Sequence, residues 1–122
     1  MTTGLEIQHR VEDEVLIVAA RGELDLYTAP DLRSLLLGAI NDGRSAVVLD
    51  LCETTFLDST ALGVIIAAMK ALRVRSGRLV LVNDRTSITK TLAITGLDHL
   101  LAVETTLAAA VRVARGEEDR SS

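Results

Sequence analysis

The stretch Phe56-Leu57-Asp58-Ser59-Thr60-Ala61-Leu62-Gly63 decides the fold of this chain, because it places one acid and two hydroxyls where a buried strand turns into a helix. Before it, Ala46-Val47-Val48-Leu49-Asp50-Leu51 is a short apolar run typical of a fully buried strand. After it, residues 62–69 read as a helix. We expect a loop over residues 52–58 and a functional site at this junction.

Ser59 has two interpretations. A serine just before an apolar helix is a common N-cap, since its side-chain oxygen accepts a hydrogen bond from an otherwise unpaired backbone N–H. The same N–H groups and the positive end of the helix dipole also favour a phosphate. Spacing alone favours the cap, and it leaves Ser59 open as a regulatory phosphosite.

The helix itself carries a second clue. Residues 61–69 contain no polar side chain, although a surface helix of that length should show a polar face. Either a neighbouring helix buries it against the sheet, or its first turns present an apolar surface that docks a partner. A phosphate on Ser59 adds about −1.5 to −2 charges beside Asp58, which opposes such docking through repulsion and desolvation.

Composition excludes several classes of function. The 122 residues predict one domain that buries most of its apolar surface without a metal or a disulfide. The formal net charge is −4 and the only aromatic residues are Tyr27 and Phe56, whereas a nucleic-acid-binding protein is expected to show a basic patch or stacking aromatics. The core must therefore consist of Leu, Val, Ile and Ala, and no direct nucleic-acid partner is expected.

No apolar stretch approaches the roughly 20 residues that cross a bilayer, and no basic-then-apolar signal segment opens the chain. We therefore expect a cytoplasmic protein without a membrane partner. Cys52 is the only cysteine, so no internal disulfide and no thiol-based metal cluster are expected. No metal or cofactor is predicted.

The remaining sequence alternates strands with helices. Residues 5–11 alternate between inward and polar positions, which predicts a half-buried strand with His9 on its inward stripe, and a turn leads to a second strand over residues 15–20. A capping-box pattern at Thr28 begins a helix that ends at Gly43. The domain is thus predicted to begin with a hairpin of two strands, followed by this helix.

The C-terminal half predicts a parallel portion of sheet, because its strands and helices alternate and each parallel pair needs a crossover. Residues 116–122 are polar and charged, so we expect a domain over residues 1–115 and a disordered tail over residues 116–122. The predicted elements are the Ser59 helix ending at Gly77, a strand at Leu79–Val82, a helix at Thr86–Thr95 stopped by Gly96, a strand at Leu100–Val103, and a helix from Thr105 or Thr106 to Arg115.

Enzymatic activity finds little support. Nucleophilic catalysis by Ser59 needs a nearby base, and only His9 and His99 are available, one on a strand and one in a loop. No Walker sequence, GxGxxG or HExxH occurs. Asp50 ends a strand as in phospho-accepting receiver domains, but the additional acidic pair and the late lysine of those domains are not evident. No catalytic residue is assigned.

The chain resembles the STAS domain family and, within it, the stand-alone bacterial anti-sigma factor antagonists. The resemblance extends from about Leu5 to Arg115, and the order and spacing of its pieces are specific. It implies a small mixed sheet with about four helices packed mainly on one side. The segments that carry it are Gly22-Glu23-Leu24-Asp25 with Thr28-Ala29, Val47-Val48-Leu49-Asp50-Leu51, Phe56-Leu57-Asp58-Ser59-Thr60-Ala61-Leu62-Gly63, and Gly96-Leu97-Asp98.

The resemblance implies a binding switch rather than an enzyme. The family's phosphorylated serine corresponds to Ser59, and Asp58 is its acidic neighbour. The implied partners are a serine-kinase anti-sigma factor, from which the unphosphorylated antagonist frees the sigma factor, and a metal-dependent serine phosphatase that resets the phosphorylated form. The implied partner-binding residues are Asp25, Leu57, Asp58, Ser59, Thr60 and Leu62.

The chain departs from the family pattern Asp-Ser-Ser-Gly-Leu-Gly. Thr60 replaces the second serine, which makes it a second candidate phosphoacceptor. Ala61 replaces the glycine and adds a methyl group where a partner approaches, so we expect it to tune partner choice or, as the alternative, to block docking.

Two other functions stay open. One is a STAS subunit of a lipid transporter or a stress-signalling scaffold, without phospho-switching. The other is a weak nucleotide-binding or hydrolytic protein at the same junction. A monomer is expected, with a dimer as the alternative.

Overall fold

The computed structural model describes residues 4–117, which form one six-stranded sheet, four α-helices and a short 3-10 helix. The predicted α/β class is therefore confirmed. Within those residues, none of the helices combines the length and the apolar character that a membrane span requires. The elements are β1 (Leu5–Glu12), β2 (Val15–Leu24), α1 (Ala29–Asn41), β3 (Ala46–Asp50), β4 (Thr54–Leu57), α2 (Ser59–Val74), β5 (Arg78–Val82), α3 (Thr86–Thr95), a 3-10 helix (Leu97–His99), β6 (Ala102–Glu104) and α4 (Leu107–Ala114).

The sheet is mixed, as the opening hairpin predicted. Its strands follow the order β1-β2-β3-β5-β6, with β1 antiparallel to β2 and every other neighbour parallel. β4 stands outside this order and pairs in parallel with the last residues of β2. Helices α1, α2 and α3 supply the crossovers that parallel strands require.

Helices cover both faces of the sheet, three on one and one on the other. Alternate residues of β2 point to opposite faces, so Leu16 and Val18 join the core beneath α1, α2 and α3, while Val15 and Ile17 join the smaller core beneath α4. The predicted placement of the helices mainly on one side is confirmed. The buried hydrophobic side chains of the described residues are all aliphatic or methionine, as the scarcity of aromatics predicted.

The region predicted as a loop over residues 52–58 contains β4, so that prediction is wrong in part. β2 runs four residues past its predicted end and pairs there with β4 from Gly22 to Leu24, with a shift of register between Gly22 and Glu23. Gly22 has φ +110°, and its N–H donates to the Glu53 carbonyl over 3.0 Å. Thr54 is buried, and its hydroxyl donates to the Ala20 carbonyl over 2.8 Å. This bond holds β4 against β2, and the polar sequence of β4 is the reason that the strand was not predicted.

Helix α2 is buried mainly by its neighbours. Val64, Ile65 and Leu72 lie in the core that α1 and the sheet share, and Leu62 and Ile66 are partly buried against it. This confirms burial as the main reason for the apolar run.

Three local predictions are wrong in whole or in part. His9 and Val11 are exposed, because this part of β1 faces an open cleft beside α1 rather than the core. Thr28 occupies the N-cap position of α1, as predicted, but its side chain makes no capping bond; its hydroxyl donates to the Glu23 carbonyl over 2.7 Å and accepts from the Asp25 N–H over 2.9 Å. The Ser59 helix ends at Val74, three residues before Gly77.

The last strand begins at Ala102 instead of Leu100. The Leu101 N–H donates to the Leu97 carbonyl over 3.0 Å, so a helical turn is completed before the strand starts. α3 and the cap of α4 at Thr106 agree with the prediction. Of the predicted tail, residues 118–122 lie outside the described residues, while the Glu117 N–H donates to the Arg112 carbonyl over 2.9 Å.

We predict that Gly22→Ala destabilises the fold far more than Gly43→Ala. Both glycines have a positive φ, of +110° and +106°, but a Cβ at Gly22 collides with the Gly4 carbonyl oxygen whereas a Cβ at Gly43 meets open space. The backbone strain alone costs about 1–3 kcal/mol, and the collision adds to it only at Gly22. Urea unfolding of both variants measures the difference, and equal losses would contradict the collision.

Candidate functional site

The β4–α2 junction is capped by Asp58, not by Ser59. Asp58 has extended backbone angles, and its Oδ1 accepts a hydrogen bond from the Ala61 N–H over 3.0 Å. Ser59 is the first helical residue. The interpretation of Ser59 as the N-cap is therefore wrong, because the carboxylate one residue earlier already occupies that position.

The second oxygen of Asp58 binds the loop between β2 and α1. Its Oδ2 accepts from the Leu26 N–H over 3.1 Å, and the Asp58 N–H donates to the Leu24 carbonyl over 3.1 Å. One carboxylate thus joins the start of α2 to a loop more than thirty positions away in sequence. The predicted binding segments around Asp25 and Ser59 meet at this point.

The loop over residues 25–28 is also held from within. The Asp25 Oδ1 accepts from the N–H groups of Tyr27 over 2.9 Å and Thr28 over 3.1 Å, and the Ala29 N–H donates to the Asp25 carbonyl over 2.8 Å. Thr28 is buried beneath the loop. The Asp25 side chain therefore shapes the loop, and this limits how freely it can reach a partner.

Ser59 is available for chemistry. Its side chain is exposed, and within residues 4–117 its hydroxyl makes no hydrogen bond. Thr60 is half-buried, so its hydroxyl is less accessible. Neither His9 nor His99 hydrogen-bonds to Ser59, so the part of the chain that the structure describes contains no Ser-His pair there.

Three exposed apolar side chains adjoin the junction, and we call them the apolar rim: Leu26, Tyr27 and Phe56. They are 60%, 86% and 51% exposed, respectively. The backbone N–H of Leu26 donates to the Asp58 carboxylate, and Phe56 precedes Asp58 by two positions. None of the three was predicted as a contact residue. The sequence does contain a pattern that could have identified two of them, because both aromatic residues of the chain, Tyr27 and Phe56, lie beside the two motifs of the junction.

The other predicted contact residues point largely inward. Leu57 is only 9% exposed and lies in the core, so its side chain offers little surface to a partner. Leu62 is half-buried against the same core.

Cys52, between β3 and β4, has an inert thiol. Burial and the hydrogen-bonded Asp50 carboxylate raise the pKa of the Cys52 thiol to about 12. The thiol therefore stays protonated at neutral pH and is a poor nucleophile. Among the described residues, no group of acidic, histidine and cysteine side chains has an arrangement suited to a metal ion.

The family model for the STAS domain matches residues 6–110. The chain belongs to the STAS domain family. An anti-sigma-B factor antagonist of Listeria monocytogenes is 36% identical over 106 residues, covering 85% of this chain and 90% of that protein. An anti-sigma-B factor antagonist of Staphylococcus aureus is 32% identical over 100 residues, covering 82% and 93%.

A crystal structure of an anti-sigma factor antagonist from Mycobacterium paratuberculosis has the same fold. It superposes with a TM-score of 0.84 at 28% identity, over 91% of this STAS chain and 94% of that chain. The predicted resemblance is therefore confirmed along nearly the whole length of the domain.

Ala61, one of the two departures from the STAS pattern, does not face a partner. Its side chain is fully buried in the core beneath α1 and α2. The expectation that its methyl group meets an approaching partner is wrong, because this position of the first helical turn points inward. Gly63 is exposed instead, and a Cβ there would meet no neighbour.

We predict that Asp58→Asn and Asp58→Ala separate the two roles of this side chain. Asparagine caps a helix as well as aspartate does, but the Ala61 and Leu26 N–H groups bind different oxygens of Asp58, and asparagine replaces one of these acceptors with an NH2 donor. Asp58→Ala should lower the free energy of unfolding by about 1–2 kcal/mol, and Asp58→Asn by less than about 1 kcal/mol. Both should accelerate amide hydrogen exchange of Leu26.

The measurements are urea unfolding and exchange followed by nuclear magnetic resonance. Asp31→Ala is the matched control, since Asp31 is an exposed acid in the first turn of α1 where no side chain caps the helix. It should change stability by less than about 0.5 kcal/mol. Unchanged exchange of Leu26 in Asp58→Asn would show that the loop does not depend on this carboxylate.

Proposed function

We propose that this protein is an anti-sigma factor antagonist, which binds a serine-kinase anti-sigma factor and thereby frees a sigma factor. The observation that carries the proposal is the exposed, unbonded hydroxyl of Ser59 directly after the capping Asp58. Because Asp58 already caps α2, a kinase can modify Ser59 without removing a structural bond. The similar proteins named as antagonists support the same role.

Binding uses the apolar rim together with the start of α2. Leu26 and Tyr27 stand in a loop that Asp25 and Asp58 hold in place, so little conformational entropy is lost when a partner covers them. Aromatic side chains next to polar groups are typical of the energetic centre of a protein interface, and Tyr27 and Phe56 supply them here. Asp25, Thr60 and Leu62 contribute at its edge, and the buried Leu57 supports it from beneath.

Phosphorylation of Ser59 releases the partner. A phosphate adds about −1.5 to −2 charges next to Asp58, at the margin of an apolar surface that must lose water on docking. It also competes with the Asp58 carboxylate for the N–H groups at the start of α2, and like-charge repulsion weakens the bond between Asp58 and Leu26. A serine phosphatase then restores the binding form.

The protein acts in the cytoplasm as a binding component, and the phosphoryl-transfer chemistry belongs to its partners. Thr60 is the lesser acceptor, because its side chain is half-buried.

We predict that the Ser59→Ala protein retains a kinase-like anti-sigma factor and that the Ser59→Asp protein does not. Both are used as baits for affinity capture from lysate of the source organism, with mass spectrometry of the retained proteins. Ser87→Asp is the matched control, since Ser87 is an exposed serine in the first turn of α3. It adds the same charge at the start of another helix and should retain the partner.

Equal retention of the anti-sigma factor by the Ala and Asp baits would reject phospho-control by Ser59. Retention of the same transporter or scaffold protein by both baits would instead assign a STAS subunit role without switching. A phosphopeptide spanning Ser59 from the natively expressed protein is the independent test of modification.

We predict that Tyr27→Ser weakens binding to the captured anti-sigma factor by about tenfold or more, as loss of a central interface aromatic does. The side chain is 86% exposed, so stability should change little. Ile94→Ser is the matched control, because Ile94 is 85% exposed but lies on α3, away from the junction. Calorimetry with the purified partner measures both, and equal affinities of the two variants would remove Tyr27 from the interface.

A further inference from the structure

Strand β1 is a long, open edge of the sheet. Among the strands of residues 4–117 it ends the strand order and pairs only with β2, over eight residues without a bulge. From Gln8 to Glu12 every side chain is exposed. Natural edge strands are commonly shortened, bulged, interrupted by proline or lined with charged side chains; β1 is long and has no bulge or proline, so its charged residues are its one such feature.

The outward-facing backbone groups of β1 can be assigned. The Gly4 carbonyl accepts from the Glu23 N–H on β2, so Gly4 directs its backbone groups inward. In an antiparallel strand the N–H and C=O of one residue point to the same side and alternate along the chain. The backbone groups of Ile7, His9 and Val11 therefore point away from β2, toward whatever lies beyond the edge.

The side chains on one face of this edge form a charge pattern that complements itself. Glu6, Gln8, Arg10 and Glu12 share a face, because they alternate with the residues that point toward α1. When a second β1 runs antiparallel with Gln8 opposite Gln8, Glu6 of each copy lies opposite Arg10 of the other. The same alignment places Leu5 opposite Val11 on the other face.

Neighbouring alignments lack this match. With His9 opposite His9, Glu6 faces the like charge of Glu12; with Ile7 opposite Ile7, Glu6 faces Gln8 and Arg10 faces Gly4. Within one chain Arg10 contacts Glu12 over 3.4 Å, but both side chains are more than half exposed, so this pair is weak and leaves the guanidinium open to a second carboxylate.

We propose that β1 binds a second copy of this chain, in an antiparallel pair centred on Gln8 that joins two sheets into one. Ile7 and His9 of each copy exchange backbone hydrogen bonds, and two Glu6–Arg10 pairs set the alignment. β4 and Ser59 lie on the opposite side of β2 from β1, so the dimer leaves both Ser59 sites uncovered. The proposal does not depend on phosphorylation.

The test is sedimentation velocity of the full chain from low micromolar to millimolar concentration, with wild type, Glu6→Arg, Arg10→Glu and their mixture. Each single variant places like charges opposite each other and should weaken the dimer by about tenfold or more. The mixture restores opposite charges at both positions, so it should form a heterodimer with the wild-type affinity. Thermal unfolding confirms that each variant is folded.

Two further variants test the alignment of the strands and the backbone hydrogen bonds separately. Glu12→Arg makes the same change of charge as Glu6→Arg on the same strand, but it lies opposite Gly4 and should dimerise like wild type. His9→Pro removes an outward N–H without touching the bonds to β2 and should abolish the dimer. A wild-type chain that stays monomeric at millimolar concentration, a dimer indifferent to Glu6→Arg and His9→Pro, or a mixture that fails to associate would each overturn the proposal.

Discussion

The Asp58 carboxylate binds two backbone N–H groups that belong to distant parts of the chain, and the whole junction depends on this pair of bonds. One bond starts α2 at a defined residue, and the other holds the loop that carries Leu26 and Tyr27. An unpaired N–H at either place would cost free energy, so the side chain stabilises the helix start and the loop together. The exposed Ser59 hydroxyl owes its freedom to this arrangement.

That pair of bonds requires β4 to lie beside the end of β2. β3 accompanies β2 only as far as Ala19, and from Gly22 onward β4 is the neighbour of β2, with a shift of register between Gly22 and Glu23. Gly22 permits this change because its backbone passes against Gly4, where a larger residue does not fit. The close approach of the Gly22 and Gly4 backbones thus contributes to the position of β4, and through β4 to the position of Ser59.

The regular elements could be predicted from the sequence because their patterns are local. Helix α3 ends at Gly96 as predicted, since only a left-handed residue with φ +78° closes it there. β4 could not be predicted, because the hydroxyl of the buried Thr54 is satisfied by the Ala20 carbonyl, thirty-four positions away, and a bond over that distance leaves no local pattern. The exposure of His9 likewise depends on how far α1 extends over β1, which strand periodicity does not reveal.

The candidate site was predicted in position but not in detail. The motif around Ser59 indicated the junction, yet the choice between Asp58 and Ser59 as cap depends on one residue of backbone geometry. The inward direction of Ala61 has the same cause, because a cap at Asp58 instead of Ser59 makes Ala61 the third residue of the helix. The apolar rim was not predicted, because the exposure of an aromatic side chain depends on which residues pack around it. Tyr27 also precedes α1, so it takes no part in the periodic pattern of that helix.

A core built without aromatic rings also determines how this protein can be observed. The chain has no tryptophan, and its only tyrosine lies at the rim with its ring almost wholly in water. Intrinsic fluorescence will therefore change little when the domain unfolds, since the emitting ring is solvated in both states. The same emission should respond when another molecule covers the junction, which makes the native chain its own label for association.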